Sequence, residues 1–96
     1  MNLQKMLQEA QKLQKKLKEF DNQIFDYNYK NLVSFKMSGL GVMSDLVISK
    51  DLIDKDDPDT LQDVIVLAVN EARQDIEAKK EKAQNALTGQ MPKGFF

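Results

Sequence analysis

The 96 residues include no cysteine and no histidine. Without cysteine there is no disulfide framework and no thiol nucleophile. Without histidine the chain lacks the side chain most used for proton transfer near neutral pH and for binding zinc. No long apolar run occurs, so no transmembrane span is expected. Charged residues follow the N-terminus at once, without the hydrophobic stretch of a signal peptide, which makes the cytoplasm the default location. Size sets a further bound. A chain this short forms one domain at most, expected over residues 1–96, and buries only about 60–65% of its unfolded surface when folded alone. Self-association would add to so modest a core.

Catalysis finds no setting here. No carboxylate sits in a recognisable acid/base arrangement. The run Asp54-Lys55-Asp56-Asp57-Pro58-Asp59 opens like a calcium loop, but proline holds its fifth position, no glycine holds the sixth and Ile65 holds the twelfth. A solvated helix N-terminus accounts for it better. Gly39-Leu40-Gly41 lacks the third glycine and the following helix of a phosphate loop. We therefore expect no enzyme, no catalytic residue, no metal, no cofactor and no small-molecule substrate.

Charge is balanced in sum and segregated along the chain. Fourteen basic and fifteen acidic residues leave a net charge of −1. Residues 1–23 carry five lysines against Glu9, Glu19 and Asp21, a net of +2, whereas residues 54–63 carry five aspartates against Lys55, a net of −4.

Hydrophobic spacing then divides the chain. Leu3, Met6, Ala10, Leu13, Leu17, Phe20 and Ile24 recur at alternating intervals of three and four, the spacing of a helical seam that Leu7 widens. Good helix formers fill the rest, so residues 1–23 are expected to be helical, with Leu3, Met6, Leu13, Leu17 and Phe20 as a seam against the sheet and a partner subunit. Residues 24–49 turn β-branched and aromatic. Val33, Phe35 and Met37 alternate with Ser34, Lys36 and Ser38, a strand with one buried face. Val42 to Ser49 makes a second strand, in which the consecutive Leu46, Val47 and Ile48 suggest burial on both faces. Ser38-Gly39-Leu40-Gly41 supplies a tight hairpin between them, and Ile24 to Tyr29 adds a third strand turned at Tyr29-Lys30-Asn31. Tyr27 and Tyr29 read as packing residues of that strand, not as a stacking platform for bases.

Residues 57–87 become helical again. Asp57 reads as the N-cap and Pro58 as the first helical residue, with Asp59 and Asp63 at the positive end of the helix dipole. Leu61, Ile65, Ala68, Ala72, Ile76, Ala83 and Leu87 form the apolar stripe, interrupted at Lys79-Lys80, where the helix is expected to leave the body. Thr88-Gly89 should end it, leaving residues 88–96 as a tail. The expected fold is α+β: helix, three-stranded antiparallel sheet, helix, in two layers, pairing as a two-fold homodimer.

The lysines are the candidate functional residues. With Leu3 at heptad position a, Lys5 and Lys12 fall at c, Lys15 at f, Lys16 at g and Lys18 at b, most of them facing away from the seam. A solvated helix face would also account for them. Against that, Lys12 and Lys16 are like charges four residues apart, destabilising by a few tenths of a kcal/mol, roughly, and only Glu19 offsets the run. On the second helix Arg73–Glu77 and Asp75–Lys79 can neutralise each other, and Lys79, Lys80 and Lys82 form a smaller patch suited to the helix's negative end.

The order of segments carries a resemblance. "MLQEAQKLQKKLKEF" leads to the hairpin "LVSFKMSGLGVMSDLVIS", then "DLI", an acidic stretch, "VIVLAVNEARQDIEAKKEKAQ" and a terminal "GQMPKGFF". This resembles the YbaB/EbfC family of bacterial nucleoid-associated proteins over nearly the whole chain, notably in the spacing of Ala68 and Ala72 beside Asn70. The resemblance implies a two-fold dimer whose outer helices project as arms onto double-stranded DNA with weak sequence preference. Carried over by position, the DNA-binding candidates are Lys5, Lys12, Lys15, Lys16, Lys18, Lys79, Lys80 and Lys82, neutralising phosphates. Two features depart from the family pattern: Ser44-Asp45 where basic residues are common, and the short Tyr29-Lys30-Asn31 turn. A dimeric protein-interaction or scaffold protein that binds no DNA, its lysines merely solvated, is the alternative.

Overall fold

The computed structural model describes residues 2–88. Helix α1 spans Leu3–Asn22, strands β1, β2 and β3 span Ile24–Tyr29, Val33–Ser38 and Met43–Ile48, a short 3-10 turn spans Lys50–Leu52, and helix α2 spans Pro58–Thr88. The sheet order is β1-β2-β3, antiparallel throughout. The expected α-β-β-β-α order is therefore the observed one.

Local chemistry explains each boundary. The Asn2 side chain accepts the Gln4 N–H at 3.1 Å and caps α1. Asp57 caps α2 by accepting the Thr60 N–H at 3.3 Å, with Pro58 in the first position, as expected. Lys30 (φ 50°) and Asn31 (φ 59°) both adopt left-handed backbone between β1 and β2, and the Leu32 N–H closes the turn on the Tyr29 carbonyl at 2.8 Å. Two consecutive left-handed residues match the right-handed twist of the flanking strands. Between β2 and β3, Gly41 takes φ 88° while the Ser38 N–H bonds the Val42 carbonyl at 2.9 Å. Asp45, with φ 53°, lies at the register shift opposite Ser34 to Lys36, which is the signature of a β-bulge.

The core lies between α2 and one face of the sheet. Val33, Phe35 and Met37 of β2 meet Val64, Ala68, Ala72 and Ile76 of α2, with Leu52 closing one end. The alanines let the helix backbone approach the strands closely. Phe25, Tyr27 and Tyr29 of β1 are packed against this core, and Tyr27 stacks on Phe35 with ring centroids 5.8 Å apart.

Two expectations about burial require correction. The Leu46–Val47–Ile48 run is not buried on both faces: Leu46 is 41% and Val47 62% exposed. β3 is an edge strand. Its pairing puts Ile48 opposite Val33 and Val47 opposite Ser34, so Val47 points away from α2, and α2 itself packs over β1 and β2. The seam of α1 likewise does not lie along the sheet. No residue of α1 is buried, Leu3 and Leu7 are 70% and 57% exposed, and Met6, Ala10, Leu13 and Leu17 are half-buried. Only Phe20, at the last turn, joins the core, against Phe25 with centroids 5.6 Å apart. Ile24, counted with the seam, opens β1 and is exposed. The chain is accordingly elongated, 68 × 19 × 15 Å with a radius of gyration of 19.0 Å, where a compact chain of this length would have about 13 Å.

Past Ile76, α2 buries no further side chain among the described residues, but it does not leave the body at Lys79-Lys80 as expected: Lys79 still lies over Phe25 and Tyr27 of β1, and Lys80 and Ala83 are half-buried. It stays helical through Thr88, and Gly89 with the rest of the tail lies outside the described residues.

Candidate nucleic-acid interface

A helix advances about 100° and 1.5 Å per residue. On α1 this places Lys5, Lys12 and Lys16 within an arc of about 40°, with Lys15 about 80° and Lys18 about 140° round the helix from Lys5, so that the five span nearly half the circumference over a length of about 20 Å. All five side chains are exposed. Among the described residues the ion pairs are Lys36–Asp45 at 3.9 Å, Lys79–Asp75 at 2.7 Å and Lys80–Asp21 at 4.0 Å, and no lysine of α1 takes part. Lys15 and Glu19, spaced to pair, do not. α1 thus carries five cations that form no ion pair among the described residues, three of them aligned along one side of the helix.

The lysines of α2 sit in different surroundings. Lys79 lies on the stripe that faces the sheet, three helical turns beyond Ala68. Its ammonium stands 4.8 Å from the Phe25 ring centroid and 5.6 Å from that of Tyr27 while it pairs with Asp75. The same Asp75 oxygen accepts the Tyr27 hydroxyl at 2.8 Å. Lys79, followed by Tyr27, holds the Asp75 carboxyl below the usual carboxylate range, and burial works against them. Burial first, then the Asp75 carboxylate, pushes the Tyr27 hydroxyl well above the ordinary tyrosine value. Lys80 is half-buried beside Asp21 of α1, and Lys82 is exposed with no partner among the described residues. The structure therefore splits the eight candidate lysines. Five on α1 and Lys82 are open, Lys79 is engaged on the sheet and Lys80 spans the two helices.

Sequence spacing showed the Asp75–Lys79 pair, but it offered Arg73–Glu77 equally, and that pair does not close among the described residues. The Tyr27 hydroxyl bond was not legible, since forty-eight residues separate the partners. Its one trace is the alternation of Phe25, Tyr27 and Tyr29, which puts all three rings under α2. Asp45, one of the departures from the family pattern, has a local role: it pairs across the sheet with Lys36. A cleft of about 620 Å³ opens between β1 and α2, lined by Asp26, Tyr29, Glu71, Gln74 and Asp75 among others. No group of three His, Cys, Asp or Glu able to hold a metal occurs among the described residues, and no described helix is long and apolar enough to cross a membrane.

A two-layer α+β chain that presents an unpaired basic helix is the class these features define. The chain belongs to the YbaB/EbfC DNA-binding family, whose model matches residues 1–91. It is 35% identical over 102 residues, covering all of both chains, to a nucleoid-associated protein of Ureaplasma urealyticum. It is 36% identical over 97 residues to a nucleoid-associated protein of Lactococcus lactis subsp. cremoris, covering 96% of this chain and 98% of that one. A nucleoid-associated protein of Enterococcus faecalis is 33% identical over 99 residues, with 98% of this chain and 94% of the relative covered.

Proposed function

We propose that the protein binds duplex DNA as a homodimer with little sequence preference, in the cytoplasmic nucleoid, and acts without catalysis. The observation that carries this reading is the set of five α1 lysines, exposed and without ion pairs among the described residues, with Lys5, Lys12 and Lys16 aligned along one side. Point charges on flexible stems suit phosphates, which carry no base information. A helix face about 20 Å long matches roughly six base-pair steps of duplex. Lys82 adds to this set. Membership of a DNA-binding family and relatives named as nucleoid-associated proteins support the same partner.

Pairing of two copies is supported by what one chain leaves uncovered. Leu40, Val42, Met43 and Leu46 of the β2–β3 turn and edge strand are exposed apolar side chains, as is Val66 of α2. An exposed apolar edge strand invites pairing or covering. Two copies would also double the lysines available to one duplex.

The experiment is binding of the purified protein to labelled 30-base-pair duplexes of several unrelated sequences, alongside its mass in solution. Comparable affinity for all duplexes and a dimeric mass are expected. Absence of binding to every duplex would move the function to protein partners.

A further inference from the structure

We propose that Asp75 sets the DNA affinity of this protein by keeping Lys79 out of the phosphate-binding set. The inference rests on the duplex-binding reading above and adds an intramolecular competitor to it.

Lys79 is held from several directions. Asp75 pairs with its ammonium at 2.7 Å, and the faces of Phe25 and Tyr27 lie 4.8 and 5.6 Å from it. The carboxylate is itself fixed, because the Tyr27 hydroxyl donates to the same oxygen, Oδ2, at 2.8 Å. Phe25 packs in turn on Phe20, the residue that roots α1 in the core. Lys79 therefore sits near the root of the basic helix with its side chain 46% exposed, yet its ammonium is held against Asp75 and the two rings and not directed outward alone.

An α1 lysine that meets a phosphate gives up only water. Lys79 would also give up a carboxylate and two ring faces, and it would leave Asp75 as an unpaired negative charge beside the phosphate it had joined. Like charges at that range oppose binding. The exchange gains little, so Lys79 contributes nothing to the salt dependence of the natural chain. Lys80 is held more loosely, at 4.0 Å from Asp21, and Lys82 is not held at all among the described residues.

The test is the slope of log affinity against log salt concentration, measured on one duplex for wild type, Asp75→Asn, Lys79→Gln, Asp75→Asn with Lys79→Gln, and Asp63→Asn. Asp75→Asn keeps the size and an acceptor for the Tyr27 hydroxyl while removing the charge. It should steepen the slope by up to about two per dimer, about 0.9 for each released lysine, and tighten binding at low salt by on the order of tenfold or more. Lys79→Gln alone should leave the wild-type slope unchanged, and the double variant should return to it. Asp63→Asn adds the same charge at a distance and should not steepen the slope.

A flattening by about two in Lys79→Gln would mean that Lys79 already contacts DNA and would overturn the proposal. So would an unchanged slope in a folded Asp75→Asn. Should Asp75→Asn fail to fold, Lys79→Gln still decides. If wild type and all variants fail to bind, this proposal falls together with the duplex-binding reading. Binding by Asp75→Asn alone would support the masking and refute that reading for the natural chain.

Discussion

The backbone carbonyl of Phe20 rests against Gly39. A methyl group added at Gly39 would lie 2.0 Å from that oxygen and 2.8 Å from the Phe20 ring. The Gly39 N–H also bonds the Gln23 carbonyl at 3.0 Å, so the end of α1 is seated on the hairpin between β2 and β3. This seat joins the basic helix to the body.

Gly39→Ala should consequently unseat α1. The clash is with backbone, which cannot swing aside, and overpacking of this kind costs about 1–3 kcal/mol. For a chain of this size that is a fall in melting temperature of roughly 4–24 °C, read by circular dichroism. Gly41→Ala meets open space and is strained only through its φ of 88°, so it should cost less. Equal melting temperatures for Gly39→Ala and wild type would contradict the seating.

How far the fold was legible follows from the type of information each feature needs. Period-2 spacing identified β2 and β3 and helical spacing both helices, while β1 read as a strand from its apolar and aromatic composition; Val33, Phe35 and Met37 and Ala68 and Ala72 repeat on faces that are buried in this chain. The same spacing carries no instruction about what covers a face. Hence Leu46 to Ile48 read as buried although β3 is an uncovered edge, and the α1 seam read as lying on the sheet although only Phe20 reaches the core. Gly39 read as a turn glycine for a similar reason. Its need for a missing side chain comes from Phe20, nineteen residues away. Among the site residues the lysines of α1 were legible because their helix is regular and open. Lys79 was not, since its rings and its fixed carboxylate are brought together by tertiary packing.

The phenol of Tyr27 offers a direct reading of that packing. In Tyr29→Phe, Tyr27 is the sole tyrosine, and its phenolate absorbance should appear only above the ordinary tyrosine value of 10.0. Adding Asp75→Asn removes the negative charge and should bring the transition down. A transition unmoved by Asp75→Asn would contradict the bond between Tyr27 and Asp75.

Acid should weaken the same pair. Asp75 is held below its ordinary value of 3.8 by Lys79 and Tyr27. A depressed carboxyl stabilises the fold fully above its unfolded value, and that contribution is lost as pH falls through the lower folded value. Wild type should therefore lose more stability to denaturant than Asp75→Asn between about pH 5 and pH 2. Parallel pH profiles would show that the pair adds nothing to stability.

Self-association should depend on the uncovered edge strand. Leu46→Asp puts a charge on β3 at a position 41% exposed in the single chain, so the chain should still fold. If a second copy buries that position, the unpaired charge costs several kcal/mol, roughly, and the mass in solution should fall to that of a monomer. An unaltered dimer would place the interface elsewhere.

Replacing Lys12, Lys15 and Lys16 together by alanine should weaken duplex binding nearly equally for all sequences. Helix content and mass should not change, because these side chains lie off the seam and are exposed. Up to six phosphate contacts are removed per dimer, so the salt slope should flatten by up to about five. A loss that differs strongly between sequences would point to base contacts.

The most direct test of the central claim is the affinity of the wild-type protein for an arbitrary 30-base-pair duplex at about 50 and 200 mM salt. Two α1 faces offer ten lysines, enough for 6–10 phosphate contacts, for which affinity should fall by about 10³–10⁵ across that range. Binding that is indifferent to salt, or absent at the lower concentration, would contradict the assignment of these lysines to DNA.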